Sequence, residues 1–282
     1  MIFEKKRIYI VVKTYPTISK EYSELVCTAG ILEDGSWIRL YPVPFRKLDF
    51  DQKYPKYTWI DVDVARNMAD FRPETYRPDL STLSVDRPEK QRKVDWDLRR
   101  RIIFNNKKVY TDLQELIEKA RKDGTSLAVF KPTKILDFFI KPTERDWDAD
   151  KLAILRGLSQ QLNLFQTPEE IEQEFRVVPK VPYKFSYMIE DETGKQSTMM
   201  IEDWEIGMLY FNCLNRAGGN EKVATTKVRE KYYDYFLKRD LHFFLGTTKQ
   251  FHNFAPNPFI IIGAFYPPIP SQARQMSLFD AK

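Results

Sequence analysis

Apolar runs of strand length, each closed by turn residues, dominate the first third of this 282-residue chain. Arg7–Tyr15 carries Ile8, Ile10 and Val12 at alternate positions, Tyr22–Leu32 is a second run, and Trp37–Val43 is a third. Glu33-Asp34-Gly35-Ser36 separates the last two. An Asp-Gly step between apolar runs signals a hairpin, because the tight turn needs residues that accept positive φ. Pro42 and Pro44 end the third strand. Residues 45–56 read as a polar-aromatic loop and Tyr57–Ala65 as another strand. Arg72–Pro78 is expected to be an extended loop, since proline fixes φ and lacks a backbone donor.

The middle of the chain changes period. Asp95–Phe104 starts acidic and turns basic at Arg99–Arg101, which matches a helix dipole. Thr111 and Asp112 open a second helix with Leu113, Leu116, Ile117 and Ala120 on one face and Gly124 beyond its end. Leu127–Phe130 and Lys134–Ile140 return to strand, and Asp148–Leu164 predicts a third amphipathic helix. Beyond the charged, proline-punctuated stretch 166–182 come a hairpin (Tyr183–Ile189 and Gln196–Ile201), a helix from Glu202, a helix over Glu221–Lys238, and strands at Leu241–Leu245 and Phe259–Phe265. Strands do not alternate singly with helices, so a doubly wound parallel sheet is not expected. The expected class is α+β: two small β-rich barrels with helical insertions. The boundaries that follow are 1–165 for the first domain, 166–182 for a linker, 183–268 for the second domain and 269–282 for a free tail. No repeat is visible residue by residue.

An apolar content of 43% supports a full core and excludes global disorder. No run reaches membrane-spanning length, and the basic N-terminus with Ile8–Val12 is too short for a signal peptide, so no membrane role is expected. Two cysteines, Cys27 and Cys213, each in an apolar pattern, fit buried thiols in a reducing cytoplasm. The net charge of +5 is unevenly spread: Arg87 to Lys108 holds nine basic residues against three acids. A basic stretch on a near-neutral body suits contact with a phosphate backbone, and equally a solvated helix face.

The last dozen residues contain Gln275-Met276-Ser277-Leu278-Phe279. This resembles the short peptide by which bacterial polymerases and repair proteins dock on the β sliding clamp. Met276, Leu278 and Phe279 suit an apolar pocket, and the Gln275 amide suits its rim. A second copy, Gln161–Phe165, reads more simply as the end of the amphipathic helix. At Val26–Ile31, Trp37–Pro42 and Phe243–Thr248 the chain also resembles an uncharacterised prokaryotic family described as containing a dual OB domain. That resemblance implies two OB-like barrels and a nucleic-acid role, DNA or RNA, with no defined catalytic residues. An OB barrel binds strands on a face mixing aromatic and basic side chains. The candidates on such a face are Trp37, Arg39, Tyr41, Phe45, Arg46, Tyr57 and Trp59, joined by Arg92, Lys93, Arg99, Arg100 and Arg101 of the basic segment.

An enzyme is less well supported. The two histidines, His242 and His252, have no cysteine nearby for a zinc site, and neither a phosphate loop nor a nucleophile elbow occurs. No cofactor or metal is expected. Asp191, Glu192, Glu202, Asp203 and Glu205 offer carboxylates for a metal-dependent nuclease, but read more simply as a turn and a helix N-terminus. The expectation is a cytoplasmic, non-enzymatic nucleic-acid-binding protein recruited to the clamp in replication, repair or phage defence. The alternatives are a nuclease recruited by the same tail, or a module that binds only proteins.

Overall fold

The computed structural model describes residues 2–19, 23–87, 94–150, 152–153 and 178–270. The first barrel is built from β1 (Glu4–Lys13), β3 (Ser23–Leu32), β4 (Trp37–Val43), β5 (Trp59–Arg66) and β6 (Thr75–Val85), with the short β2 (Thr17–Ser19) on its edge. Its order is β1-β5-β6-β4-β3, and β3 pairs back onto β1, closing five strands. All pairs are antiparallel except β4 with β6. This is the topology of an OB barrel. Inside it lie Ile8, Ile10, Val26, Ile38, Leu40, Val43, Ile60, Val62 and Val64.

Pro78 falls inside β6, opposite Val64, not in a loop. The parallel pairing with β4 ends at Tyr76, so at Pro78 the strand has a hydrogen-bonded neighbour on one side only and the missing N–H is not needed.

The second barrel repeats this order with a broken first strand. β8 (Leu127–Phe130) pairs with β12 (His242–Thr247), and β9 (Lys134–Pro142) pairs with β10 (Tyr183–Glu190). Pro132 stands at the break between them. β10 continues to β11 (Gln196–Met200), and β12 pairs with β13 (Phe259–Phe265). A parallel bridge between Ile201 and Ile261 joins the two halves, reinforced by Glu202 N–H donating to the Ile261 carbonyl at 2.8 Å. Strand β7 (Val109–Tyr110) lies parallel to β8. β9 and β10 lie on either side of the boundary expected at 166–182, of which 166–177 lie outside the described residues, and pair in one sheet. Residues 127–142 belong with the C-terminal half.

Among the described residues four helices complete the fold: α1 (Trp96–Ile103), α2 (Leu113–Asp123), α3 (Trp204–Arg216) and α4 (Glu221–Arg229), the last running on through π and 3-10 turns to Lys238. Their ends obey local rules. Asp95 caps α1 by accepting from Leu98 N–H at 2.8 Å, Asp112 caps α2, and Gly124 closes α2 at φ 76°. The apolar faces of α2, α3 and α4 complete the second core with Leu116, Ile117, Ile206, Tyr210, Ala224 and Val228.

A third apolar cluster lies between the barrels. The unbroken run Ile8–Val12 is explained by it: Ile8 and Ile10 face the first core, while Tyr9 and Val11 face outward into Phe244, Ile262, Phe265, Leu127 and Val129 of the second barrel. A bulge between Ile10 and Val12 turns Val12 to this interface as well. Gly30 permits the tight crossing of β1 and β3, since a Cβ there would lie 2.7 Å from the Tyr9 carbonyl oxygen.

Candidate functional site

The face of the first barrel that bears Trp37, Arg39 and Tyr41 is covered by the second barrel. Trp37 meets Phe244 edge-on at 6.0 Å between ring centroids, and Lys107 Nζ sits 4.8 Å from the Trp37 ring. Arg39 is 1% exposed. It donates to the Thr75 hydroxyl at 3.2 Å, and to the Ser126 hydroxyl at 2.7 Å and carbonyl at 3.1 Å. Tyr41 is half-buried, and its carbonyl accepts from Asn67. These side chains alternate with Ile38 and Leu40 of the first core, and for Trp37 and Arg39 outward means into the interface. Arg39 cannot reach a phosphate.

The remaining nominated residues divide. Arg46 is half-buried in a 3-10 turn, Phe45 is buried against Tyr54 and Trp204, and Trp59 lies against Tyr9. Arg100 pins α1 to the second barrel through Asp240 at 2.9 Å and the Pro268 carbonyl at 2.8 Å. Arg101 is exposed. Arg92, Lys93, Gln161–Phe165 and the tail peptide Gln275–Phe279 lie outside the described residues.

Arg99 and Tyr57 belong to a patch along the seam of the two barrels. Tyr57 has φ 64°, a left-handed conformation rare for a bulky residue, and its N–H donates to the Ile10 carbonyl at 2.6 Å. The Arg99 guanidinium lies 3.9 Å from the Tyr57 ring centre and 5.4 Å from that of Trp96. Arg239 lies 5.6 Å from Trp96 and 5.5 Å from Tyr235. Lys231 Nζ lies 4.0 Å from Tyr235 and 5.0 Å from Tyr266. Tyr266 also meets Trp96 at 5.7 Å and Tyr235 at 6.2 Å, so these seven residues form one cluster. Among the described residues none of these three cations forms a salt bridge. Burial, and then the like charge of Arg239, lower the Lys231 ammonium below its ordinary pKa. Glu205 partly offsets the Lys231 shift, and Arg239 Nε donates to the Tyr266 carbonyl at 3.1 Å, so the cluster is cationic with carboxylates nearby but not paired to it; the planar guanidinium groups add stacking surface.

Beneath the seam sits a buried ion cluster. Lys56, at 3% side-chain exposure, donates to both Asp203 oxygens at 3.1 and 3.3 Å and to Glu205 at 3.1 Å. Burial alone would lower the Lys56 ammonium, but the two carboxylates outweigh it and hold it charged. Burial raises Asp203, which also caps α3. Lys13 joins from β1, donating to the Tyr54 carbonyl at 3.1 Å, and burial lowers it to about 8. The cluster ties loop 44–58 of one barrel to α3 of the other.

Of the carboxylates considered for a nuclease, all but Glu202 serve structural ends, Glu205 with Lys56 at 3.1 Å. Asp191 accepts from Thr193 and Lys195 N–H within the β10–β11 turn, Glu192 accepts from the Thr111 hydroxyl at 2.6 Å, and Asp203 is committed to Lys56. Among the described residues no three His, Cys, Asp or Glu side chains are grouped to hold a metal. His242 bonds the Asp240 carbonyl at 3.0 Å, and His252 bridges Thr247 Oγ1 at 2.7 Å and the Ala120 carbonyl at 3.1 Å. Among the described residues no helix is long and apolar enough to cross a membrane.

Sequence reasoning missed Trp96, Lys231, Tyr235, Arg239 and Tyr266. The signal was present in Lys231–Arg239, where four aromatics are framed by basic residues, but its helical period drew attention first.

A solved structure of a murine DNA-binding protein bound with double-stranded DNA aligns with 94% of this chain and 94% of its own length, at 11% identity and a TM-score of 0.29. At that score it carries no weight for fold or function. No curated protein matches the chain. Residues 4–105 match the profile of a Domain of unknown function (DUF8758), so the first barrel with α1 falls under one profile. Residues 109–282, the second barrel with its helices, match that of a second, and because this span exceeds half the sequence the chain belongs to the family of the Domain of unknown function (DUF8757).

Proposed function

We propose that the protein binds a nucleic-acid strand along the seam between its barrels. The observation that carries this reading is the interleaving of Arg99, Arg239 and Lys231 with Tyr57, Trp96, Tyr235 and Tyr266, cations that form no salt bridge among the described residues, set among aromatic faces. Phosphates would meet the cations, and unstacked bases would lie on the rings and guanidinium planes. The reading is of binding without catalysis. Fluorescence anisotropy with labelled single-stranded DNA, single-stranded RNA and duplex DNA at low salt tests it and assigns the strand type. An absence of binding to all three would leave a module that contacts only proteins.

The tail peptide Gln275–Phe279 would bring this binding surface to a bacterial β sliding clamp. Its support is the arrangement of Gln275, Met276, Leu278 and Phe279, a few residues past the point where Arg100 pins Pro268. Titration of a labelled 271–282 peptide with the clamp should show binding that a Leu278→Ala, Phe279→Ala peptide lacks. Equal behaviour of the two peptides would remove the clamp from the account.

A further inference from the structure

A cleft of about 420 Å³ lies at the end of β10 and β11, where the second barrel meets Tyr15–Thr17 of the first, with Asp203 of the ion cluster in its lining. That volume lies in the range of about 300–1,000 Å³ that small-molecule sites occupy. Trp147 and Tyr15 supply aromatic wall, and both are fixed. Trp147 Nε1 donates to the Val178 carbonyl at 2.7 Å, and the Tyr15 hydroxyl donates to the Pro179 carbonyl at 2.7 Å. Gly207 makes room for Tyr15, since a Cβ there would lie 2.4 Å from its ring.

The polar groups of the cleft are unequal. Lys180 is occupied by Glu144 at 3.1 Å and the Asp146 carbonyl at 3.0 Å. Glu202 and Lys184 are not occupied. The Glu202 backbone is held at both ends, its N–H on Ile261 and its carbonyl accepting from Tyr15 N–H at 3.3 Å. Among the described residues its carboxylate accepts no hydrogen bond. Burial raises its pKa, and Lys184 is the one charge that offsets this. Glu202 is half-buried and its carboxylate oxygens keep solvent access, so they are available to the donors of a ligand in the cleft. Lys184 stands exposed near the mouth.

We propose that this cleft binds a guanine nucleotide. An ionised carboxylate offers only acceptors, so it selects a ligand edge with adjacent donors. Guanine presents N1–H and the exocyclic N2 amine side by side. Adenine and cytosine each set a ring acceptor beside their amine, and uracil sets its single N–H between two carbonyls. Against Glu202 all three meet lone pair with lone pair. The purine ring would lie against Trp147 and Tyr15, and its phosphate would meet Lys184. None of Arg99, Lys231 and Arg239 lines the cleft, and the proposal does not require that the seam bind a strand.

Calorimetric titration of the full chain with GMP, AMP, CMP, UMP and guanosine tests this. GMP should bind at least about tenfold more tightly than the other nucleotides, the scale of one bidentate contact. Glu202→Gln should weaken GMP by a similar factor and close the gap to AMP, with a melting temperature that holds or rises. Lys184→Ala should weaken GMP and leave guanosine unchanged. The seam variant Arg99→Ala, Lys231→Ala, Arg239→Ala should keep full GMP binding, so failure of one site is distinguishable from failure of the other. Equal binding of GMP and AMP, no heat with GMP at millimolar concentration, or unchanged GMP binding in Glu202→Gln would each overturn the proposal. Tighter binding of a zwitterionic dipeptide than of GMP would do so too.

Discussion

Ser126 of the second barrel closes over the Arg39 guanidinium of the first, its hydroxyl 2.7 Å from Nη1 and its carbonyl 3.1 Å from Nη2. Glu74 completes the contact by accepting from Ser126 N–H at 2.9 Å and from its hydroxyl at 2.8 Å. Arg39 therefore joins the barrels. Arg39→Ala should cost about 2–4 kcal/mol, from the cavity and the stranded hydroxyls, in a urea unfolding curve. Strand affinity, measured well below the melting temperature, should not change.

Lys56 neutralises two carboxylates in a nearly dry site. Lys56→Met should cost about 3–5 kcal/mol at pH 8, because Asp203 is left charged and buried. The folded Asp203 carboxyl, already at about 6, stands above its unfolded value of 3.8. Its ionised form is the costly one, and that cost grows as pH rises through this window. Unfolding of Lys56→Met at pH 5 and pH 8 should therefore show the smaller destabilisation at pH 5.

Lys107 carries the opposite sign. Its Nζ is buried without a hydrogen-bond partner, and burial lowers it from 10.5 to about 8, with Asp34 opposing. Below pH 8 the ammonium is charged in both states and the folded protein bears the full desolvation cost. Between about 8 and 10.5 the unfolded chain binds more protons, so the cost is relieved as pH rises. Lys107→Met should raise the melting temperature at pH 7, and the gain should shrink by pH 10.

Much of this fold is legible in the residues. The Asp34-Gly35 hairpin, the Asp112 and Gly124 ends of α2, and strands β8 and β13 follow from turn, cap and period rules that act within a few residues. What was not legible depends on distant partners. Pro78 is tolerable only because β4 stops pairing at Tyr76, and β9 joins β10 across forty residues that give no local sign of it. The site divides in the same way. Outward alternation of Trp37, Arg39 and Tyr41 is readable, but the barrel that covers them is not. Arg99 is a candidate through its charged neighbours, whereas Arg239 and Tyr266 join it only through the packing of one barrel on the other.

The seam makes the account's central claim, and salt dependence tests it most directly. Affinity for a labelled single strand should fall linearly in log–log form with salt. In the variant Arg99→Ala, Lys231→Ala, Arg239→Ala both affinity and slope should drop, the slope by about 2, since each lost phosphate contact releases roughly 0.7 fewer counterions from a single strand. An unchanged slope and affinity in that variant would contradict the account and place any strand binding elsewhere on the molecule.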